Sequence, residues 1–219
     1  MSITPDISVI VAAYNVDRYI VDCLSSLSQQ KNVFAEFIIV DDGSTDSTLK
    51  IINEFAIKDS RFIVHSHTTN KGLLSARLSG FSLSSGKFIC FLDGDDLLCD
   101  SHSLRNMLNL IKICDCDIVG FDVKVFGDKS VACSRKQNWL NCKTVTAKSS
   151  LEILNLIFDK HLCAWNIWNK LYRRAVVEKA FQFAHNDYLV CAEDAYLTFL
   201  IACFAQTFQK QNTQPLYLY

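Results

Sequence analysis

Three features that define whole classes of protein are missing from this chain. Basic and acidic residues nearly balance, 22 against 23, and no block of five or six like charges occurs. A nucleic acid would therefore find little electrostatic attraction, and we expect no nucleic-acid partner. No apolar stretch reaches the roughly 18 residues that a membrane span requires. The first apolar run ends in AAYNVDRY, without the G-x-G-x-x-G glycines that cradle the phosphates of a dinucleotide cofactor.

The cysteines show no arrangement typical of a zinc site. Ten are scattered along the 219 residues, and no secretory signal precedes them. Cys114 and Cys116 form a lone C-x-C, without the second close pair that such a site would need. We therefore expect reduced thiols and a cytoplasmic protein, with association at the inner face of a membrane left open.

The first half of the chain alternates strand and helix patterns. Four apolar runs of strand length lie at residues 7–14, 36–42, 61–67 and 87–95. Their hydrophobicity is continuous, which is typical of strands covered on both faces, as in a parallel sheet. Helical periodicity separates them, with Leu74, Leu78 and Phe81 on one predicted face. This alternation predicts an α/β fold with right-handed crossovers.

The second half is less regular. A strand pattern lies at residues 117–126, and helix patterns lie at residues 150–158 and 192–206. Residues 164–174 form an aromatic-basic strand or loop. Residues 127–148 form a polar connection without periodicity, which we interpret as a hairpin or a mobile flap. The chain ends in PLYLY, a strand-like run without a polar tail, and this favours a domain cut from a longer protein.

Carboxylates collect at the predicted strand ends. Asp41 and Asp42 follow the second strand, and Asp93 and Asp95 follow the fourth, separated by Gly94. Ligands of open parallel sheets bind at the carboxyl ends of the strands, so these side chains are predicted to meet at one site. Two carboxylates this close can share a hard divalent cation, and oxygen ligands favour magnesium or manganese over zinc. The alternative is an acidic turn whose aspartates are solvated or cap the next helix.

Tyr14 and the first acidic pair offer groups that a nucleotide could use. The Tyr14 ring, at the end of the first strand, presents a face for stacking. Asp41 and Asp42 can accept hydrogen bonds from the N–H of a planar ring or from ribose hydroxyls. An acidic turn with a helix cap is again the alternative.

Four segments occur in an order that resembles one known family. ISVIVAAYN, IIVDDGSTDST, NKGLLSARLSG and GKFICFLDGDD resemble the nucleotide-sugar-binding half of family 2 glycosyltransferases, which have the GT-A fold. The resemblance is continuous over about residues 6–100. It implies a Rossmann-like, mostly parallel central sheet flanked by helices. It also implies one GT-A domain over residues 1–219, with a nucleotide-sugar-binding half at 1–100 and an irregular acceptor-side half at 101–219.

The resemblance implies roles at the matching positions of the donor half. Tyr14 would stack near a uracil-type base, and Asp42 would hydrogen-bond the edge of its ring. Arg77 would serve the donor or the side chains that support it. Asp93 would lie near the donor ribose and the metal, and Asp95 would bind Mn²⁺ or Mg²⁺ directly.

The acceptor half resembles the family through shorter pieces. NKLYRR (169–174) and AEDAYLTF (192–199) resemble segments of bacterial members that assemble capsule and lipopolysaccharide sugars. Asp194 takes the place of the general base, and its position in the first turn of a helix should favour the ionised form. Asp96 is expected to face the acceptor.

Two further side chains are candidates for contact with the acceptor. Trp168 could belong to a sugar-stacking platform, and Lys170 could meet the phosphate of a lipid-linked acceptor. A core tryptophan and a solvated basic face are the alternatives. His65 and His67 share one face of a predicted strand and could hold a metal, but without a third ligand we expect surface or edge histidines.

The implied activity is metal-assisted transfer of a sugar, with inversion, from a nucleotide-diphosphate donor to a saccharide or lipid-linked acceptor. Leu78 replaces the usual asparagine of the family, and Ala13 also departs from its pattern. A nucleotide-sugar-binding module without catalysis is a second hypothesis. A Mg²⁺-dependent phosphatase is a weaker one, because Val40 occupies the position of its aspartate nucleophile.

Overall fold

The computed structural model describes residues 4–126, 131–141, 143–185, 188–189 and 191–219. Strands and helices alternate in the first half: β1 (Ile7–Ala13), α1 (Ile20–Ser28), β2 (Ala35–Asp41), α2 (Thr48–Lys58), β3 (Phe62–Ser66), α3 (Leu73–Leu83) and β4 (Phe88–Asp93). The four predicted strands are confirmed with nearly the expected bounds.

The second half has shorter strands and less regular order: β5 (Leu97–Leu98), α4 (Ser103–Cys114), β6 (Ile118–Gly120), β7 (Val123–Lys124), α5 (Val131–Leu140), β8 (Val145–Ala147), α6 (Ser150–Leu154), a π-helical turn (Asn155–Asp159), β9 (Lys170–Arg173), α7 (Arg174–Phe181), α8 (Glu193–Phe204), β10 (Phe208–Lys210) and β11 (Tyr217–Leu218). Within the described ranges, none of the helices combines the length and apolar composition that a membrane crossing requires.

The strands form two sheets. The larger has the order β3-β2-β1-β4-β9-β6-β10-β8, and the smaller has the order β5-β11-β7. β1 to β4 pair in parallel, and β9 runs antiparallel between β4 and β6. In this register Ala13 lies beside Asp41, and Ala12 beside Asp93. The carboxyl ends of β1, β2 and β4 therefore meet at one edge of the large sheet.

Apolar side chains cover both faces of the large sheet. Val9 and Val11 of β1 belong to a buried cluster with residues of α1, α2 and α4, whereas Ile10 belongs to a second cluster with residues of α3, α7 and α8. β1 is buried along its whole length. Burial on both faces explains the continuous hydrophobicity of these strands and confirms the predicted α/β class.

Helix α3 buries a face that differs from the predicted one. Leu74 is buried, but Arg77 and Gly80 share the buried face, and Leu78 and Phe81 are only partly buried. A Cβ atom on Gly80 would lie 2.4 Å from Cγ2 of Ile10 in β1. The glycine thus allows close approach of helix and sheet, which brings Arg77, one turn earlier, to the end of β4.

The single strand expected over residues 117–126 is wrong. The chain leaves the large sheet after β6 and enters the small sheet as β7. Between them Asp122 bonds to a different segment: its N–H donates to Oγ1 of Thr213 at 3.0 Å, and its Oδ2 accepts from the Thr213 N–H at 2.8 Å. These bonds divert the backbone from the ladder of the large sheet.

The hairpin or flap expected over residues 127–148 is also wrong where the structure describes it. Residues 127–130 and 142 lie outside the described residues, and the remainder contains α5 and β8. α5 contacts β7 through amide side chains: Oε1 of Gln137 accepts from the Val125 N–H at 2.7 Å, and Oδ1 of Asn141 accepts from the Val123 N–H at 2.8 Å. Contacts made by amide side chains leave no apolar periodicity in the sequence from which a helix could be predicted.

We expect Gly80→Ala to lower the free energy of unfolding by about 1–3 kcal/mol, because the added methyl group overpacks the contact between α3 and β1. The better helix propensity of alanine offsets this loss by about 1 kcal/mol at most. Urea denaturation measures the change. Ser82→Ala, at an exposed position of the same helix, is the control and should unfold like the wild type. Equal midpoints for both variants would contradict the close packing of α3.

Candidate active site

A cavity of about 450 Å³ opens at the carboxyl ends of β1, β2 and β4. Several predicted site residues line it together: Tyr14, Asp42, Asp93 and Asp95. Glu193, at the start of α8, also lines the cavity and brings the second half of the chain to its wall. The sheet edge that the sequence predicts for a ligand is therefore the edge at which this cavity lies.

Tyr14 sits on a loop that is bonded to the loop after β2. The side chain of Asn15 accepts from the Thr45 N–H at 2.8 Å, and the Asn15 N–H donates to Oγ of Ser44 at 3.0 Å. The Val16 N–H adds a bond of 2.9 Å to Oγ1 of Thr48. Tyr14 itself is 45% exposed. Its ring is thus held on a braced loop with surface available for stacking.

Asp42 is buried and organises the backbone around the cavity. Its Oδ1 accepts from the Lys71 N–H at 2.9 Å, and its Oδ2 accepts from the Gly72 N–H at 2.8 Å. Oδ1 also lies 2.6 Å from Nδ1 of His67, whose Nε2 is 2.9 Å from Oγ of Ser79. A carboxylate has about four acceptor positions, so three protein donors leave one for a ligand.

The edge position expected for His65 and His67 is confirmed, because β3 is the edge strand of the large sheet, but His67 does not lie at the surface. It follows the edge strand β3, yet it is only 5% exposed because its ring lies between Asp42 and Ser79. Sequence reasoning missed its contact with Asp42. The available signal was its place at a strand end on the same edge as the acidic residues.

Asp41 and Gly43 support the loop after β2 from inside the protein. Asp41 is buried, and its Oδ2 accepts from Oγ of Ser66 at 3.0 Å. Its Oδ1 has no hydrogen-bond partner within the described residues. Gly43 has φ of +73°, and a Cβ there would lie 2.6 Å from the carbonyl carbon of Thr69. The loop therefore requires glycine at this position.

Arg77 joins the two halves of the site. Its guanidinium donates to Oδ1 of Asp93 at 2.9 Å and to Oδ1 of Asp194, and Glu193 lies 3.8 Å away. The side chain is 1% exposed. Burial alone would lower the pKa of Arg77, but the carboxylates of Asp93, Asp194 and Glu193 outweigh that effect and raise it. Arg77 therefore stays charged and supports the acidic side chains around it.

The acidic turn after β4 holds three aspartates in different environments. Asp93 is half-buried and pairs with Arg77, Asp95 is exposed, and Asp96 is buried. Enough protein surrounds the Asp95 carboxylate that partial burial, together with the charge of Asp93, raises its pKa. The Gly94 N–H donates to the Ala12 carbonyl at 3.0 Å, which fixes the turn against β1.

The turn offers a donor set that suits a hard divalent cation. Asp93 and Asp95 supply carboxylate oxygens on the cavity wall, and their mutual repulsion would be relieved by a positive ion. Within the described part of the chain, no group of three or more His, Cys, Asp or Glu side chains is arranged to hold a metal. Two protein carboxylates leave coordination positions for ligand oxygens, as Mg²⁺ and Mn²⁺ sites commonly do.

Asp194 lies in the first turn of α8. Its side chain is 11% exposed and bonds to Arg77. Burial raises the pKa of Asp194, although the Arg77 charge acts in the opposite direction, and the negative charges of Asp93 and Glu193 raise it further. This balance corrects the expectation that the helix start would favour the ionised form. A raised pKa makes the carboxylate a better proton acceptor.

Asp96 does not face an acceptor, contrary to the prediction. It is 6% exposed, and its Oδ2 accepts from the hydroxyl of Tyr217 at 2.6 Å. Burial raises the pKa of Asp96 to about 8, against the lowering effect of the hydrogen bond from Tyr217. Sequence reasoning missed Tyr217 because its only signal was the strand-like PLYLY run.

Trp168 and Lys170 are buried away from the cavity. The Trp168 ring stacks on Tyr217 and Tyr219, with centroids 4.7 and 4.9 Å apart. Nζ of Lys170 donates to the carbonyls of Ala164 and Asn166 at 2.8 and 2.6 Å. Their burial corrects the prediction that these two side chains contact an acceptor, and Trp168 follows the core alternative.

Comparisons with known proteins show the family of the chain. The family model described as "Glycosyl transferase family 2" matches residues 8–181. The chain is 32% identical to the putative glycosyltransferase EpsH of Bacillus subtilis, over 99% of this chain and 61% of that protein. It is 31% identical to the uncharacterized glycosyltransferase EpsJ of the same organism, over 98% of this chain and 61% of that protein. The chain thus spans about three fifths of the length of these curated relatives.

Solved structures share the fold. The crystal structure of Staphylococcus aureus TarS 1-349 has a TM-score of 0.80 and 24% identity, covering 97% of this chain and 60% of that one. The mannosyltransferase PcManGT of Pyrobaculum calidifontis has a TM-score of 0.67 and 18% identity, covering 100% of this chain and 57% of that one. The central sheet and flanking helices are those of a GT-A glycosyltransferase, as predicted. With the match to the family model and to EpsH, this chain belongs to glycosyl transferase family 2.

Proposed function

We propose that this protein is an inverting hexosyltransferase that moves a sugar from a UDP-sugar to a hydroxyl of a saccharide or lipid-linked acceptor. The observation that carries the proposal is the buried Arg77, which bonds at once to Asp93 of the acidic turn and to Asp194 of α8. A donor-side carboxylate and a candidate base are thereby held beside each other by the two terminal nitrogens of one rigid, planar group. Inverting transfer requires a base on one side of the reacting carbon and a stabilised leaving group on the other.

The donor side is assigned to residues 1–100. The half-exposed ring of Tyr14 would stack on the base, and the remaining acceptor position of Asp42 would bind the edge of the base. One TarS structure is a complex with UDP-GlcNAc and another is a complex with UDP, which supports uridine in the donor. Arg77 would act as support for the site, because its side chain is 1% exposed.

Asp93 and Asp95 are the residues that would hold Mn²⁺ or Mg²⁺. Such an ion, when bound, offsets the negative charge that develops on a leaving diphosphate. The PcManGT structure is a complex with GDP-Man and Mn²⁺, which supports a metal in this fold. Asp95 is assigned the direct contact because it is exposed and is not paired with Arg77, whereas Asp93 shares its Oδ1 with that guanidinium.

Asp194 is assigned as the general base. It would take the proton of the acceptor hydroxyl as that oxygen attacks the donor sugar. The raised pKa of Asp194 increases its basicity, and Arg77 keeps it ionised enough to act. The acceptor would approach from the half formed by residues 101–219, which contributes α8. A role in bacterial polysaccharide assembly, in the cytoplasm or at the inner face of the membrane, completes the proposal.

A nucleotide-sugar-binding module without catalysis is the competing function. It would use the same donor residues, so binding alone does not distinguish it from an enzyme. The phosphatase alternative has less support, because Val40 is buried in β2 and the side chain of Asp42 is 4% exposed. Turnover that depends on Asp194 would distinguish the glycosyltransferase from the binding module.

We expect Asp194→Asn to lower turnover of a UDP-sugar by about 10²–10⁴-fold while UDP binding is kept, because the amide cannot accept the proton. Transfer and slow donor hydrolysis measure turnover, and calorimetry measures binding. Asp115→Asn is the control, because Asp115 is exposed and, among the residues that the structure describes, pairs with Arg173 and does not line the cavity. Tight UDP binding without turnover in the wild type on any acceptor would favour the binding module.

The pH dependence of turnover should carry the signature of Asp194. Because burial raises the pKa of this carboxyl, kcat should fall as the pH drops through a value above the ordinary carboxyl range and should level off at higher pH. A pH profile of kcat under saturating donor measures this limb. The residual activity of Asp194→Asn should lack it. If kcat of Asp194→Asn fell over the same pH range, another group would be the base. Glu193 would then be the first candidate, tested by Glu193→Gln.

We expect Asp95→Ala to abolish metal-dependent turnover and leave the fold intact, because the exposed carboxylate has like-charged neighbours. In the wild type, UDP with Mn²⁺ at well above their dissociation constants should stabilise the fold by a few kcal/mol in a thermal-shift assay. The variant should lose the part of this shift that depends on Mn²⁺. Wild-type activity in Asp95→Ala would refute the assigned role.

A further inference from the structure

The phenol of Tyr217 touches both ends of the acidic turn. Its O–H donates to Oδ2 of Asp96 at 2.6 Å, and its oxygen accepts from the Asp93 N–H at 3.4 Å. Tyr217 lies in β11, which pairs with β5 directly after the turn, Tyr217 being opposite Leu98. The small sheet therefore places the Tyr217 hydroxyl within hydrogen-bond distance of both Asp93 and Asp96, the first and last aspartates of the D-G-D-D sequence.

The turn needs such a contact because the carboxyl group of Asp96 is buried. Asp93, Asp95 and Asp96 lie within four positions, and within the turn the Asp96 N–H donates to the Asp93 carbonyl at 3.0 Å. Arg77 bonds to the Asp93 side chain from the helix side. On the other side, the Tyr217 hydroxyl gives the buried Asp96 carboxylate a donor, which favours its inward position.

The ring of Tyr217 is itself held in place. It is fully buried and stacks on Trp168 with an interplanar angle of 19°. A ring locked by packing fixes its hydroxyl within a narrow range, and the hydroxyl then fixes the turn. This arrangement explains why Trp168, expected at an acceptor surface, is found behind the turn instead.

We propose that Tyr217 is a positioning residue for the metal site: it holds Asp96 inward and thereby sets Asp93 and Asp95 toward the cavity. The inference rests on the proposed function, since it assigns Tyr217 to the divalent-cation site of that function. Residues behind metal ligands orient the ligands, and their replacement commonly weakens metal affinity. Tyr217 touches neither the cavity nor any reacting group, so its effect passes through the turn.

Tyr219 is a matched control two residues away. It also stacks on Trp168, at 4.9 Å and 11°, but its hydroxyl accepts from Nζ of Lys136 at 2.6 Å. Removing the two hydroxyls in turn leaves both rings stacked on Trp168, and only Tyr217→Phe removes a contact with the acidic turn.

The test measures binding of UDP with and without Mn²⁺ by calorimetry. Tyr217→Phe should weaken the Mn²⁺ affinity of the UDP complex about tenfold, while the affinity for UDP alone stays within about twofold of the wild type. Tyr219→Phe should match the wild type in both. Equal affinities in Tyr217→Phe and wild type would overturn the inference, and so would equal losses in the two phenylalanine variants, because the hydroxyl at the acidic turn would then have no specific effect.

Two variants of Asp96 keep the inference testable if Tyr217→Phe does not fold. Asp96→Ala removes the acceptor of the phenol, and Asp96→Asn keeps an oxygen acceptor without the charge. A loss of Mn²⁺ affinity in the alanine variant alone supports the hydrogen bond. An equal loss in both would make Asp96 a metal ligand and overturn the inference. Wild-type protein without Mn²⁺-dependent binding would overturn the metal role in the proposed function as well.

Discussion

The site depends on one buried cation, the Arg77 guanidinium. A charge that is 1% exposed is unfavourable unless partners replace its hydration, and Arg77 has the carboxylates of Asp93, Asp194 and Glu193 within reach. These partners come from β4 and α8, which lie far apart in the sequence. The arginine is brought between them by α3, which lies close on the sheet because Gly80 has no side chain. The close contact of α3 with the sheet at Gly80 therefore places Arg77 among its carboxylate partners.

The aspartates of the site divide into those that are occupied and one that is not. Asp42 accepts from two backbone N–H groups and bonds to His67, Asp93 pairs with Arg77, and Asp96 accepts from Tyr217. Asp95 is exposed on the cavity wall beside a like charge. The occupied aspartates shape loops and orient neighbours. In the proposed function Asp42 and Asp93 also contact the donor or the metal, so their hydrogen bonds within the protein orient them for that role.

The sequence predicts the first half of the fold well because β1, β2 and β4 are buried on both faces and appear in the sequence as continuous apolar runs. It predicts the second half poorly where contacts are polar or elements are short: Gln137 of α5 and Asn141 after it bond to the β7 segment through their amides, and β5 and β11 have two residues each. The strand-end aspartates were predictable from topology. His67 and Tyr217 were not, because their bonds join residues 25 and 121 positions apart, and local patterns carry no information on such pairs.

The position of Arg77 also agrees with the different roles proposed for the carboxylates of Asp93 and Asp194. Asp93 and Asp194 bond to different nitrogens of one guanidinium, which is planar and holds its charge at any pH at which the protein is folded. It keeps the carboxylates apart and screens their repulsion. The Arg77 charge thereby offsets that of Asp194, so Asp194 attracts a cation near Asp95 less strongly. Burial still raises its pKa, so it keeps the affinity for a proton that a base requires.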